Sequence, residues 1–428
     1  MIGALRRSTE LGLVLLGGVI TASIYTLASL GRTASLPADI GPFLGVVLGL
    51  VLVAHVATRR LAPAADGILL PIAGLLNGIG YVFIARLDEN LAALQAVWTA
   101  VGIGAYIGTL VVIRRIRDLE QYRYTLMFVG LALLLLPLVP VIGRTINGAR
   151  IWVQLGPMSF QPGEFAKIVL AVFFASYLVE KRELLGMASV RIGPLMLPDL
   201  KHFGPVLLAW GASLIVMFYE RDLGSSLLFF AVFVVMLWIA TERWAYLGVS
   251  AVLFGAGATV AWRTFSHVQV RIENWLDPWQ DVADRGFQTV QATFALAFGG
   301  ITGTGPGLGS PGRIPAAETD FIFAAIGEEL GLLGSTAVLV AFLLMVGTGL
   351  RISLRADNPF EKLLAAGLTA IIGIQSFIII GGVIRLVPLT GITLPFVSYG
   401  GSSLVANYVL LALLMRISDS EERPVGAP

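Results

Sequence analysis

The feature that most constrains this chain is a recurrence of apolar runs bounded by charges or turn formers. Each is about 20 residues long, the length a helix needs to cross a hydrocarbon core about 30 Å thick. Such runs lie near residues 11–30, 40–57, 68–85, 93–113 and 124–142, then 164–180, 203–219, 223–240 and 244–262, and finally 322–348, 362–384 and 403–415. Within a bilayer the backbone must satisfy its own hydrogen bonds, so these runs are expected to be helices. The fold class read from them is an all-α polytopic membrane protein with about 12 transmembrane helices. Composition agrees, with 57% hydrophobic residues, 13% charged residues and a mean hydropathy of +0.85. A soluble core of this length needs far less apolar content.

Several chemistries are set aside at once. The chain has no cysteine, which removes disulfides, thiolate metal sites and thiol nucleophiles. Its 3 histidines argue against a His-rich metal cluster, and a formal net charge of +2 with dispersed basic residues argues against a nucleic-acid partner.

The distribution of the 29 Lys and Arg residues orients the chain. Most fall on segments that share a side with Arg6 and Arg7, so the positive-inside rule places both termini in the cytoplasm. The first run lacks a small-residue cleavage site and reads as a retained helix, not a signal peptide. Three long connections then face outward: 143–163, 263–321 and 385–402. A connection as long as 263–321 is usually functional or disordered. It opens on a polar, acidic stretch, Trp275 to Gln288 (WLDPWQDVADRGFQ). An apolar section from Val290 to Phe298 reads as a short helix. The glycine-rich run Gly299 to Ser310 (GGITGTGPGLGS) follows, with backbone suited to turns or close approach.

Four separated motifs resemble one known family, the SEDS proteins of shape, elongation, division and sporulation (RodA/FtsW/SpoVE-like). They are NGARIWVQLGPMSFQPGEFAK (Asn147 to Lys167), ERDLGSS (Glu220 to Ser226), the block Asp277 to Gly331 containing DFIFAAIGEELG, and GITLPFVSYGGSS (Gly391 to Ser403). The texture is closer to RodA-like members of high-GC bacteria than to FtsW-like ones. The resemblance implies a ten-helix core over residues 61–417, preceded by two additional N-terminal transmembrane helices in 1–60 and followed by a short cytoplasmic tail, 418–428. It implies a peptidoglycan glycosyltransferase that polymerises lipid II into glycan strands on the outer face for cell elongation and shape. Undecaprenyl pyrophosphate is the leaving group, and a class B penicillin-binding protein (transpeptidase) is the partner. The other expected partners are the growing glycan strand and membrane lipid.

Such a reaction needs a base for the acceptor hydroxyl and positive charge for the departing pyrophosphate. The resemblance places the proposed catalytic aspartate at Asp281, with Asp277 ranked below it. Both also read as plain loop residues, Asp277-Pro278 being ordinary turn chemistry. Val282 and Asp284 depart from the family pattern, which has proline and glycine there. Glu164 and Lys167, three apart, share a helix face; they suit either a pair or a site for pyrophosphate. Arg150 offers a forked donor set for phosphate, one position from the family's arginine, which aligns with Ile151. Thr319 and Asp320 precede a helix, where Asp320 reads as a cap, a metal ligand or a loop-positioning group. Ala316 and Glu318 stand where the family has Glu and His.

Glu328 and Glu329 fall inside a predicted span, where unpaired charge is costly. Lys167 and Arg385 are candidate partners that sequence alone does not pair with them. Ser398, Ser402 and Ser403 lack an accompanying base and read as small hydroxyl donors lining a cavity, not as nucleophiles. No cofactor is expected beyond a divalent cation, Mg or Mn, at the pyrophosphate. Two other functions fit the residues: a flippase for the same lipid, or a noncatalytic scaffold for the penicillin-binding protein. Many helices with intramembrane charge suit a transport pathway as well.

Overall fold

A computed structural model describes residues 2–35, 40–140, 142–146, 149–155, 158–186, 190–192, 195–197, 211, 219–220 and 222–421. The helices in these residues are α1 (Ile2–Thr33), α2 (Ile40–Leu61), α3 (Leu69–Leu87), α4 (Glu89–Val112), α5 (Arg123–Leu135), α6 (Gly163–Gly186), α7 (Leu223–Thr241), α8 (Trp244–Thr264), α9 (Ser266–Leu276), α10 (Phe287–Gly299), α11 (Ile322–Arg355), α12 (Pro359–Val383) and α13 (Gly401–Glu421). Among the described residues, 9 helical segments are long and apolar enough to cross a membrane. The chain is therefore a mostly helical, multi-pass membrane protein. Helices α2 and α6 occupy two further predicted positions, and the run 203–219 lies almost wholly outside the described residues.

Two stretches depart from the all-α expectation. Residues 143–160 form a three-stranded antiparallel sheet of β1 (Gly143–Ile146), β2 (Ala149–Leu155) and β3 (Met158–Phe160), in which Arg144 faces Trp152 and Gln154 faces Ser159. A second hairpin pairs β4 (Val190–Ile192) with β5 (Leu195–Leu197). Both lie between apolar runs, where hydropathy says nothing about backbone pairing. In the long connection, α10 takes the place expected for the Val290 to Phe298 helix, and α9 adds a helix that apolar periodicity did not indicate.

The chain divides into two compact units whose sequences interleave. Unit one comprises residues 1–114, 273–349 and 375–428. Its polar core joins α3, α4 and α13: Asn77 Nδ2 donates to Tyr408 Oη at 3.1 Å and to Thr99 Oγ1 at 3.3 Å, and Thr58 Oγ1 lies 2.7 Å from Tyr106 Oη. Buried hydroxyls and amides fix helix register where apolar packing alone would allow sliding. Arg416 on α13 donates to the carbonyls of Leu61, Ile113 and Leu110 and pairs with Asp419, satisfying helix ends. Asp419 and Ser418 accept from the backbone of Ala64 and Asp66, so the start of the predicted tail is helix that holds the α2–α3 turn. At one end of the α1–α2 pair, buried Glu10 accepts from His55 Nδ1 at 2.8 Å and pairs with Arg59.

Unit two comprises residues 115–272 and 350–374. Aromatic contacts join α6 to α7 through Phe174 and Phe233 at 5.3 Å, and α7 to α8 through Phe230 and Phe254 at 5.8 Å. Tyr246 Oη donates to Leu185 O at 2.9 Å. Ion pairs of Arg123 with Glu180 and of Arg117 with Glu361 lie at helix ends. On α8, Val252, Leu253, Phe254 and Val260 are exposed, the surface expected of a helix facing lipid tails.

Candidate active site

In unit one the acidic stretch folds into a tight capped turn. Helix α9 ends at Leu276, and Asp277 Oδ1 accepts from Trp279 N at 3.1 Å, capping a 3-10 turn over Pro278–Asp281. That is the turn role sequence assigned to Asp-Pro. Gly286 N closes the turn on Asp281 O at 2.8 Å. A side chain at Gly286 would collide with Pro278 O and lie 2.9 Å from Asp281 O. The stretch is anchored from one side by Arg385, whose Nη2 donates to Trp275 O at 3.0 Å and Leu276 O at 3.2 Å, while Trp275 Nε1 donates to Arg385 O at 3.0 Å. Asp281 is half-exposed, and its carboxylate has no hydrogen-bond or ion-pair partner among the described residues. Its backbone is fixed while both carboxylate oxygens keep their lone pairs.

The neighbouring carboxylates are used differently. Helix α11 is broken at Gly331, where φ is 66° and ψ is −165°, a backbone conformation open to glycine. Residues 299–310 run against that break. Thr304 N and Gly305 N donate to the carbonyls of Glu328 and Glu329 at 2.9 and 3.1 Å, and Leu332 N and Leu333 N donate to Gly300 O and Ile301 O at 2.9 and 3.1 Å. The side chains reinforce the same contact: Glu329 Oε2 accepts from Gly307 N, and Glu328 Oε1 from Ser310 N, both at 2.8 Å. The cation at Glu329 is Arg86 of α3, 3.2 Å away, which also donates to Gly309 O at 3.0 Å.

The two candidate cations have other contacts. Lys167 is paired with Glu164, and Arg385 holds the α9 terminus. A cavity of about 480 Å³ opens beside the loop, lined by Gln291, Phe294, Phe298, Ser310, Arg313 and Glu328 among others.

Thr319 and Ser398 come together: Ser398 Oγ donates to Thr319 O at 2.6 Å and accepts from Leu394 N at 2.9 Å, and Tyr399 N donates to Glu318 O at 2.8 Å. These contacts tie the SYGGSS segment to the start of α11. Ser398 is thereby a buried strut between two backbones, and Ser402 and Ser403 are buried with it. The Thr319 hydroxyl is turned to Ala316 O at 3.2 Å, and Asp320 lies half-buried two residues before α11.

In unit two, Glu164 and Lys167 form a buried pair at 2.7 Å on the first turns of α6, as their spacing suggests. Arg150 on β2 donates from Nε to Pro137 O at 3.0 Å, which fixes the strand to the end of α5. Two carboxylates of the ERDLGSS motif were not among the sequence candidates. Asp222 caps α7, accepting from Ser225 N at 3.0 Å and Ser225 Oγ at 2.6 Å. Burial pushes its carboxyl up; the Ser225 bonds and Arg271 pull it back, and Glu164 adds to the rise. Glu220 is buried with Oε1 unpartnered among the described residues, and burial together with Asp222 raises its carboxyl to about 9. A charge between two apolar runs was the signal that could have found them.

Among the described residues no group of three or more His, Asp or Glu is arranged to hold a metal.

Comparisons with known proteins follow the same lines. Residues 70–423 match the FtsW/RodA/SpoVE cell cycle protein family. The peptidoglycan glycosyltransferase RodA of Mycobacterium tuberculosis is 43% identical over 431 residues, covering 98% of this chain and 92% of that protein. A probable peptidoglycan glycosyltransferase FtsW of Geobacter sulfurreducens is 35% identical over 358 residues, covering 82% and 88%. Among solved structures, a chain from a peptidoglycan synthase complex that coordinates polymerization and crosslinking superposes with a TM-score of 0.70 at 26% identity, covering 84% of this chain and 99% of that one. The crystal structure of the rod shape determining protein RodA of Thermus thermophilus gives 0.59 at 26% identity, covering 84% and 98%. The chain belongs to the FtsW/RodA/SpoVE cell cycle protein family.

Proposed function

We propose that this chain is a peptidoglycan glycosyltransferase that polymerises lipid II on the outer face of the cytoplasmic membrane, in the elongation role of the RodA-like members. The near full-length similarity to proteins of that name carries the reading. Two N-terminal helices (1–60) precede the polymerase core (61–417), both termini are cytoplasmic, and the full complement is about 12 spans. The connection 263–321 then faces outward and presents Asp281 to the lipid-linked sugars.

Asp281 is the general base. Its unpartnered carboxylate takes the proton from the acceptor sugar hydroxyl as that oxygen attacks the donor's anomeric carbon from the opposite face. The new glycosidic bond forms with inversion while the bond from the anomeric carbon to the pyrophosphate oxygen breaks. Undecaprenyl pyrophosphate leaves with the bonding pair. By the family resemblance of the Asn147 to Lys167 motif, Lys167 and Arg150 supply positive charge for that group. Asp277 holds the turn, and Thr319, Asp320, Glu328, Ser398 and Ser402 shape the surrounding wall. A class B penicillin-binding protein crosslinks the product, as the synthase-complex neighbour suggests.

The test is purified protein, alone and with such a partner, given labelled lipid II. Polymer from wild type, and none from Asp281→Asn that still binds substrate, is the expected outcome. Undiminished polymerisation by Asp281→Asn would remove Asp281 as the base. Lipid movement across vesicles without polymer would replace the polymerase with a flippase.

A further inference from the structure

The family match begins at residue 70, so α1 and α2 lie outside it, yet the Mycobacterium RodA proteins match 98% of the chain. Within unit one, α1 meets the glycine-rich loop at two places without room for a side-chain carbon. A Cβ on Gly307 would collide with Ala28 O, and a Cβ on Gly31 would lie 2.5 Å from Pro306 O and 3.3 Å from two carbons of Leu308. The same residue, Gly307, donates its N–H to Glu329, and Arg86 joins Glu329 to Gly309 O. The loop is thus gripped from both sides, by α1 on one and by the Arg86–Glu329 pair on the other. Its residues Thr304, Leu308, Gly309 and Ser310 form one wall of the cavity of about 480 Å³.

Helix α1 is itself anchored along its length. Thr21 packs on Gly78 of α3, Gly18 on Leu48 of α2, and buried Glu10 is held by His55 and Arg59. A helix fixed at several depths transmits its position to whatever touches its end, because packed interiors do not deform continuously.

We propose that α1 is a positioning element for polymerisation, with Gly31 and Ala28 setting the wall of the cavity through Pro306, Gly307 and Leu308. The cavity combines Phe294, Phe298 and Leu308 with Gln291, Ser310, Arg313 and Glu328, a lining suited to an amphiphile with an apolar tail and a polar head. This rests on the polymerase reading in one respect: the amphiphile is the lipid-linked sugar.

Gly31→Ala tests the positioning. Within a helix the substitution itself favours folding, but its methyl meets the Pro306 carbonyl and must displace the loop. Gly12→Ala on the same helix, where nothing lies within 4 Å, is the control. With labelled lipid II, Gly31→Ala should raise KM about 10-fold and leave kcat within about twofold, the signature of lost ground-state contact. Its amide exchange over 299–310 should quicken, and Gly12→Ala should match wild type. Unchanged KM in a folded Gly31→Ala protein overturns the proposal, as does a raised KM with unchanged exchange at 299–310.

The chain has no cysteine of its own, so a Gly31→Cys, Leu308→Cys pair reports the contact without assaying catalysis. Crosslinking in the membrane is expected. Failure to crosslink overturns the contact even if Gly31→Ala does not fold. An inactive wild type that still crosslinks would strike the polymerase reading and leave the α1 contact standing.

Discussion

Two acidic groupings of unit one, separated by fewer than 50 residues of chain, place the same functional group in opposite surroundings. Glu328 and Glu329 are buried, and each accepts a backbone N–H of the glycine-rich loop, with Arg86 beside Glu329. Asp281 sits on a turn held by Asp277, Gly286 and Arg385, and its carboxylate is bound to nothing among the described residues. A carboxylate that accepts the backbone of a neighbouring loop builds structure. One whose backbone is fixed while its oxygens stay open is equipped to take a proton.

The comparison breaks most visibly at Asp281. Asp281→Asn should lower polymerisation about 1000-fold, within the range general bases contribute, and leave the unfolding midpoint in detergent unchanged. Equal losses of stability and activity would place Asp281 with the structural carboxylates. Glu329→Gln should do the reverse, costing about 3 kcal/mol of stability by leaving Arg86 buried without its counter-charge. A Glu329→Gln protein with a wild-type midpoint but no activity would move that residue into the chemistry.

Glu220 of unit two sharpens the contrast, being buried with Oε1 unpartnered among the described residues. Its folded pKa is raised from 4.5 to about 9, so the folded state holds a proton that the unfolded chain releases. Its contribution is fully present below pH 4.5 and is lost as pH rises toward about 9. The midpoint should therefore fall across that window, and Glu220→Gln should flatten the slope; an unaltered slope in the variant would show that Glu220 finds a charge partner. Smaller effects are expected in the turn. Gly286→Ala should cost about 2 kcal/mol through overpacking against Pro278 O, with polymerisation falling because the Asp281 backbone shifts. Asp277→Ala should cost about 1 kcal/mol as a lost cap and retain most activity. A complete loss would promote Asp277 beside Asp281.

Some of this architecture is legible in residue order. The apolar runs mark α1, α3, α4, α7, α8, α11 and α12 because a membrane span is a local property of about 20 residues. The three-residue spacing of Glu164 and Lys167 puts them on one helix face for the same local reason. The sheet at 143–160 is not legible, since Arg144 meets Trp152 through backbone bonds that hydropathy does not encode. Nor is the partner of Glu329. Arg86 lies far away in sequence, and Lys167 and Arg385, nearer the quoted motifs, are engaged elsewhere.

Sequence alone determined that the chain spans a membrane, that thiol chemistry is absent, and that four motifs join it to one family. These follow from composition and short-range pattern. Tertiary structure decided that Glu328 and Glu329 are committed to the glycine-rich loop while the Asp281 carboxylate has no partner among the described residues, and that α1 touches that loop at Gly31 and Gly307. The physical reason is that a charge's role depends on what fills its lone pairs, and those partners come from segments that only folding brings together.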